Sequence, residues 1–197
     1  MNLANKLTIF RIILVPIMVI IPYLNLQGSF YGLPYTYFWM LLIFIVASIT
    51  DKLDGYIARS RNQVTTFGKF LDPLADKILV LTAMVLLVEL GKIPAWIPVI
   101  VLAREFLVSG YRLIAVEKGG KVIAASIWGK LKTVTQMIAI ILVMFDKNAF
   151  CDCFRGGLTG VDFGINLVAT LLLLISTFAT IFSGIDYMKN GKDLLKD

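Results

Sequence analysis

DKLDGYIARSRNQVTTFGKFLDPLAD, residues 51–76, is the stretch in which charge breaks into an otherwise apolar pattern. Its polar skeleton is Asp51, Asp54, Gly55, Ala58 and Arg59, followed by Gly68, Asp72 and Asp76. Asp51 and Asp54 are three apart and so share one face of a helix; Asp72 and Asp76 are four apart and share a face of the next. Pro73 suits the first turn of a helix, where its missing amide costs nothing, so the spacing predicts a helix that begins there. Two antiparallel helices across a short connection would bring the aspartate faces together. Four converging carboxylates repel one another and stay ionised only when cations hold them. An oxygen-only donor set favours hard ions, here one or two Mg²⁺ or Mn²⁺. Such ions neutralise phosphate groups, so the pattern points to phosphoryl chemistry. Gly55 and Gly68 let a nucleotide or a backbone approach closely, and Arg59 suits a phosphate clamp. Helix capping alone would account for Asp72 but not for the spacing of the whole set.

Outward from this stretch the chain is apolar. Of its 197 residues 58% are hydrophobic, against roughly 45–50% in a soluble domain. A bilayer-spanning helix needs about 20 mostly apolar residues. Six runs qualify, over residues 7–26, 36–58, 72–91, 94–116, 127–146 and 163–185. They fill the chain and leave no separate soluble domain. The first run is read as a retained span rather than a cleaved leader. Strand-period alternation is absent, and helices satisfy their backbone locally in lipid. The expectation is an all-α integral membrane protein, a single six-helix catalytic domain over residues 1–197.

Loop residues punctuate the same six spans: Gly28, Gly32 and Pro34, then Gly91 and Pro94, then Gly119 and Gly120, then the longer segment from Asp146 to Asp162. With the N-terminus inside, sixteen of the nineteen Lys and Arg fall on the inner side and only Lys92, Lys147 and Arg155 on the outer. The positive-inside rule then puts both termini in the cytoplasm. The net charge of +6 suits anionic lipid headgroups. It argues against nucleic acid, because the cations alternate with spans instead of forming one patch. Trp39, Trp96 and Trp128 lie near span ends and read as interfacial anchors. Cys151 and Cys153 are too few for a disulfide framework and read as incidental loop thiols. The chain has no histidine, so a general base must be a carboxylate, lysine, tyrosine or cysteine.

Every defined position of D-x2-D-G-x2-A-R-x8-G-x3-D-x3-D is met between Asp51 and Asp76. The chain therefore resembles the CDP-alcohol phosphotransferase family. The resemblance implies a six-helix membrane fold, a homodimer, and a site open to the cytoplasm. It implies that Asp51, Asp54 and Asp72 bind metal and that Asp76 is the general base and touches a second metal. Gly55, Ala58 and Gly68 would line the cytidine pocket, with Arg59 near the diphosphate. The implied reaction is direct: Asp76 takes the proton of the acceptor hydroxyl, that oxygen attacks the lipid-side phosphorus, and CMP leaves. Three further stretches, MNLANKLTIFR at residues 1–11, AREFLVSGYR at 103–112 and EKGGKVIAASIWGKLKTVTQM at 117–137, resemble the phosphatidylglycerophosphate synthases of that family. The implied substrates are CDP-diacylglycerol and glycerol 3-phosphate, in the cell membrane.

A phosphorylated acceptor needs cations. Arg104, Arg112, Lys130 and Lys132 sit at the inner ends of spans four and five, with Arg112 and then Lys130 preferred as phosphate ligands. Lys130 and Lys132 cannot face the same way along a helix, and each of the four has snorkelling to the interface as its alternative. Glu105 reads as an ion-pair partner of Arg104. Thr8 and Arg11 on the first span are candidates for the diphosphate. Serine, inositol phosphate or phosphatidylglycerol as acceptor would fit the same core motif. A prenyl-transferring enzyme would carry D-D-x-x-D twice, which this chain lacks. A cation transporter would place its carboxylates near the midplane of interrupted, repeated helices, not at helix ends on one side.

Overall fold

The computed structural model describes residues 3–60, 66–117 and 127–191, with the backbone alone for residues 3, 4, 52–60, 66, 67, 69, 70, 116 and 190. The element order is α1 (Leu3–Ile20), a 3-10 turn (Ile21–Leu24), strands β1 (Ser29–Phe30) and β2 (Leu33–Pro34), then α2 (Tyr35–Ser60), α3 (Thr66–Glu89), α4 (Trp96–Glu117), α5 (Ile127–Phe145), the one-turn α6 (Asp152–Arg155) and α7 (Gly160–Asn190). Each of the six apolar runs corresponds to one long helix.

Two expectations are amended. The third helix begins at Thr66, so Pro73 lies inside it and Asp72 is not a cap. Phe67, Phe70, Leu71 and Leu74 follow the i, i+3, i+4, i+7 spacing of a helix, so the earlier start has a periodic signal that the proline overrides. Pro73 there costs one amide hydrogen bond. The chain is also not free of strands, since Phe30 pairs with Leu33 across an antiparallel hairpin. Tyr31 (φ 50°) and Gly32 (φ 79°) form its turn, and positive φ at both central positions matches the twist of paired strands. A Cβ at Gly32 would stand 2.8 Å from Lys147 Nζ, the mobile end of a side chain that can move aside, so the positive φ is what favours glycine there. Two-residue strands are too short for alternation to reveal.

The chain forms two compact units. The first comprises residues 1–91 with Met144–Lys147, the second residues 92–143 with 148–197. In the first, α1 packs against both α2 and α3. Met18, Met40, Phe44, Leu79, Met84 and Leu87 are buried at its core. An apolar groove of about 510 Å³ lies between α1 and α2, lined among others by Leu14, Ile17, Trp39, Leu42 and Val46.

In the second unit α4 packs on α7. The buried face of α7 is rich in small residues, among them Ala169, Ser176, Ala179, Thr180 and Ser183, beside Leu173 and Tyr187. Small residues let helices approach where lipid removes the hydrophobic drive. The hydroxyls are satisfied within the helix: Ser176 and Thr177 each donate to the Leu173 carbonyl at 2.8 Å, and Thr180 donates to that of Ser176 at 2.7 Å. Their burial therefore costs little.

Among the described residues three helical stretches are long and apolar enough to cross a membrane: Asn5–Leu24, Ile127–Phe145 and Gly160–Lys189, with a shorter apolar stretch at Tyr35–Asp51. Large apolar side chains stay exposed along them, including Ile13, Ile17, Val134, Ile138, Leu171 and Phe178, as lipid-facing surfaces require. In α3 and α4 the apolar pattern is interrupted by Asp72, Asp76 and Lys77, and by Arg104, Glu105 and Arg112. The residues of chemical interest are the ones that lower the hydropathy of those two helices.

Candidate active site

In the first unit α1 reaches one carboxylate on each neighbouring helix. Arg11 Nη1 lies 2.7 Å from Asp51 Oδ1, a contact of charge without an aligned N–H. The Arg11 side chain is fully buried, while that of Asp51 keeps 38% exposure. Thr8 Oγ1 donates to Asp72 Oδ1 at 2.7 Å. Thr8 and Arg11 are three apart, so one face of α1 serves both contacts. Thr8 is buried and Asp72 half-buried. Asp76, one turn on from Asp72, is also half-buried, and Gly68 is buried in the first turn of α3. Thr8 and Arg11, read from sequence as candidates for the diphosphate, here hold the aspartates themselves. Asp54, Gly55, Ala58 and Arg59 belong to the last turns of α2, and their side chains lie outside the described residues. Among the described residues no three metal-binding side chains come together.

The contact to Asp72 is a neutral donor on a carboxylate, a bond of about 1.5–3 kcal/mol. Thr8→Val keeps the shape of the side chain and removes the donor. It is expected to lower kcat/KM about tenfold while the protein stays folded, with initial-rate kinetics as the readout. An unchanged kcat/KM would show that Asp72 does not need the Thr8 hydroxyl.

The donor chemistry fits a hard divalent cation. Asp51 and Asp72 offer oxygen only, neither is sealed from solvent, and both contacts from α1 are made to Oδ1, so each carboxylate has a second oxygen. The apolar groove between α1 and α2 offers no such donors. Its residue Trp39 lies twelve residues before Asp51, about 18 Å along the helix axis.

The second unit holds the cations. Glu105 accepts from Arg104 Nη1 at 2.9 Å and from Lys132 Nζ at 2.5 Å on the same oxygen. The expected Arg104–Glu105 pairing is present, and Lys132 is drawn into it. Arg104 Nη2 also donates to Ser183 Oγ at 2.6 Å. Gly129 and Gly184 flank this side chain: their Cβ positions would lie 3.5 Å from Arg104 Nη2 and 3.6 Å from its Cγ. Lys132 is buried and Lys130 exposed, as two residues two apart on a helix must be. Arg112, exposed, donates from Nη2 to Tyr187 Oη at 3.1 Å.

Ser183 and Tyr187 had no signal in the sequence beyond being polar at i, i+4 in the last turns of an apolar helix. Cys151 and Cys153 are free thiols. Burial pushes the Cys151 thiol up, and neighbouring Cys153 adds to the shift, which makes it a poor nucleophile at neutral pH.

Curated relatives match this chain along its length, three of them as follows. A CDP-diacylglycerol–glycerol-3-phosphate 3-phosphatidyltransferase of Bacillus subtilis is 39% identical over 200 residues, covering 99% of this chain and 97% of the relative. Proteins of the same name from Haemophilus influenzae (39% over 200 residues, 100% and 96%) and Rickettsia typhi (37% over 198 residues, 97% of each) are similar to it in the same way. The family model described as CDP-alcohol phosphatidyltransferase matches residues 1–182. With the aspartate motif on α2 and α3 and a match over nearly its whole length, the chain belongs to the CDP-alcohol phosphatidyltransferase family.

Proposed function

We propose that the chain, acting as one catalytic domain over residues 1–197, transfers the phosphatidyl group of CDP-diacylglycerol to glycerol 3-phosphate. The products are phosphatidylglycerophosphate and CMP. The observation that carries this reading is the end-to-end similarity to relatives whose shared name specifies that donor and that acceptor. The cations on α4 and α5 support it, because this acceptor brings a phosphate dianion.

Asp51, Asp54, Asp72 and Asp76 hold one or two Mg²⁺ or Mn²⁺ ions, which when bound offset the charge of the diphosphate. Thr8 and Arg11 fix the orientation of Asp72 and Asp51. Gly55, Ala58 and Gly68 leave room for cytidine, and Arg59 pairs with the diphosphate. Asp76 accepts the proton of the acceptor hydroxyl. The freed oxygen attacks the lipid-side phosphorus in line, the bond from that phosphorus to the CMP oxygen breaks, and no covalent enzyme intermediate forms. Arg112 and Lys130 receive the acceptor's phosphate, with Arg104 and Lys132 as further candidate ligands.

The six long helices cross the cell membrane, and both termini and the site face the cytoplasm. The sixteen-to-three asymmetry of Lys and Arg supports that orientation. The working form is a homodimer.

The test is CMP release by the purified full-length protein in detergent, given CDP-diacylglycerol and Mg²⁺ or Mn²⁺. Glycerol 3-phosphate, serine, inositol phosphate and phosphatidylglycerol are offered separately, with a chelator arm. Release with glycerol 3-phosphate alone, lost on chelation, is the expected result. Release with another acceptor instead overturns the choice of substrate, and release that survives chelation overturns the metal requirement.

A further inference from the structure

The two arginines of α4 are held in different ways. Arg104 has a carboxylate: Glu105 lies 2.9 Å from Nη1, and Ser183 takes Nη2. Glu105 is shared with Lys132, so Arg104 has an internal carboxylate partner although that one carboxylate answers two cations. Arg112, eight residues on and about 12 Å further along the helix, has no carboxylate in ion-pair range among the described residues. Its partner is Tyr187, through the hydroxyl at 3.1 Å and the ring face, with the guanidinium carbon 5.9 Å from the ring centroid. The same ring lies 5.9 Å from the guanidinium carbon of Arg104. Tyr187 is only 2% exposed, so its ring is fixed by packing while Arg112 remains exposed.

This arrangement orders a long, flexible side chain without neutralising it. A carboxylate partner would hold Arg112 equally well but would compete with any anion that approached. A neutral hydroxyl and a ring face leave the full charge, and the planar fork of donors, for a ligand. Ser183 and Tyr187 are four apart on α7 and so act from one face: the first steadies the arginine paired with Glu105, the second the arginine that has no carboxylate partner among the described residues.

We propose that Tyr187 is a positioning residue that presents Arg112 to the phosphate monoester of the acceptor. It makes the enzyme selective for phosphorylated acceptors over neutral or zwitterionic ones. The inference rests on the function proposed above and deepens it.

The experiment compares wild type, Tyr187→Phe, Arg112→Gln and the double variant as full-length purified proteins. KM is measured separately for glycerol 3-phosphate and CDP-diacylglycerol. Loss of one hydrogen bond to a charged group is expected to raise the KM for glycerol 3-phosphate about tenfold in Tyr187→Phe. The KM for CDP-diacylglycerol and kcat stay unchanged, which also shows that the protein is folded. Because Tyr187 acts through Arg112, the double variant is expected to be no worse than Arg112→Gln alone. An unchanged KM for glycerol 3-phosphate, an equal rise in both KM values, or additive effects in the double variant would each overturn the proposal and leave Tyr187 a packing residue. Absence of turnover with glycerol 3-phosphate in the wild type would instead sink the proposed function, and this inference with it.

Discussion

Asp76→Asn is expected to leave the protein folded and to cut CMP release by at least about 10³-fold, within the range that a positioned general base contributes. The substitution is nearly isosteric, and Asp76 is half-buried on α3 one turn beyond Asp72, so the shape of the site survives. What goes is a proton acceptor. The chain contains no histidine, and the carboxylates of Asp51 and Asp72 are already engaged by α1. A water could take over the proton only slowly. Initial rates at several metal concentrations separate the two roles assigned to Asp76. A base gives a loss of kcat that excess Mg²⁺ or Mn²⁺ does not repair. A ligand alone gives a raised metal requirement with kcat restored at saturation. Near-normal release at ordinary metal would remove Asp76 from the mechanism altogether.

How much of this was legible in the sequence depends on the range of the interaction involved. The six long helices were legible because apolar surface along a helix is a local property. The pairing of Asp51 with Asp54 and of Asp72 with Asp76 on common faces is equally local, set by 3.6 residues per turn. The start of α3 was misplaced for a related reason: Pro73 is a strong local signal for a first turn, and it outweighed the helical spacing of Phe67, Phe70 and Leu71 just before it. Arg11 was visible as a charge in an apolar run, but such a charge has several readings. That it belongs to Asp51, forty residues away, follows from the packing of α1 against both α2 and α3, which no local pattern encodes. Tyr187 was harder still, being one of seven tyrosines in a helix whose composition announces only a span. Its meaning comes from Arg112, seventy-five residues earlier.

Arg11 is therefore where sequence and structure differ most in what they predict, and its removal is the second large effect expected. Arg11→Met retains the length and apolar body of the side chain and deletes the charge. Breaking a buried ion pair by removing one partner costs about 3–5 kcal/mol. Asp51 keeps 38% exposure and can be partly rehydrated, so the lower end, about 3 kcal/mol, is expected. For a chain of this size that is a fall of roughly 6–12 °C in Tm, measured in detergent with a chelator present. The same measurement with Mg²⁺ or Mn²⁺ should show a smaller gap. A cation that binds only the folded form stabilises it in proportion to occupancy, and in the variant it becomes the main counter-charge to Asp51. The variant should thus gain more from the metal than the wild type does. Turnover should fall as well, since Asp51 loses the contact that orients it. A Tm that does not move under chelation would mean that the 2.7 Å approach contributes nothing to the fold. A Tm that falls equally with and without metal would mean that Arg11 stabilises the helix packing but that Asp51 does not share its charge with the cation.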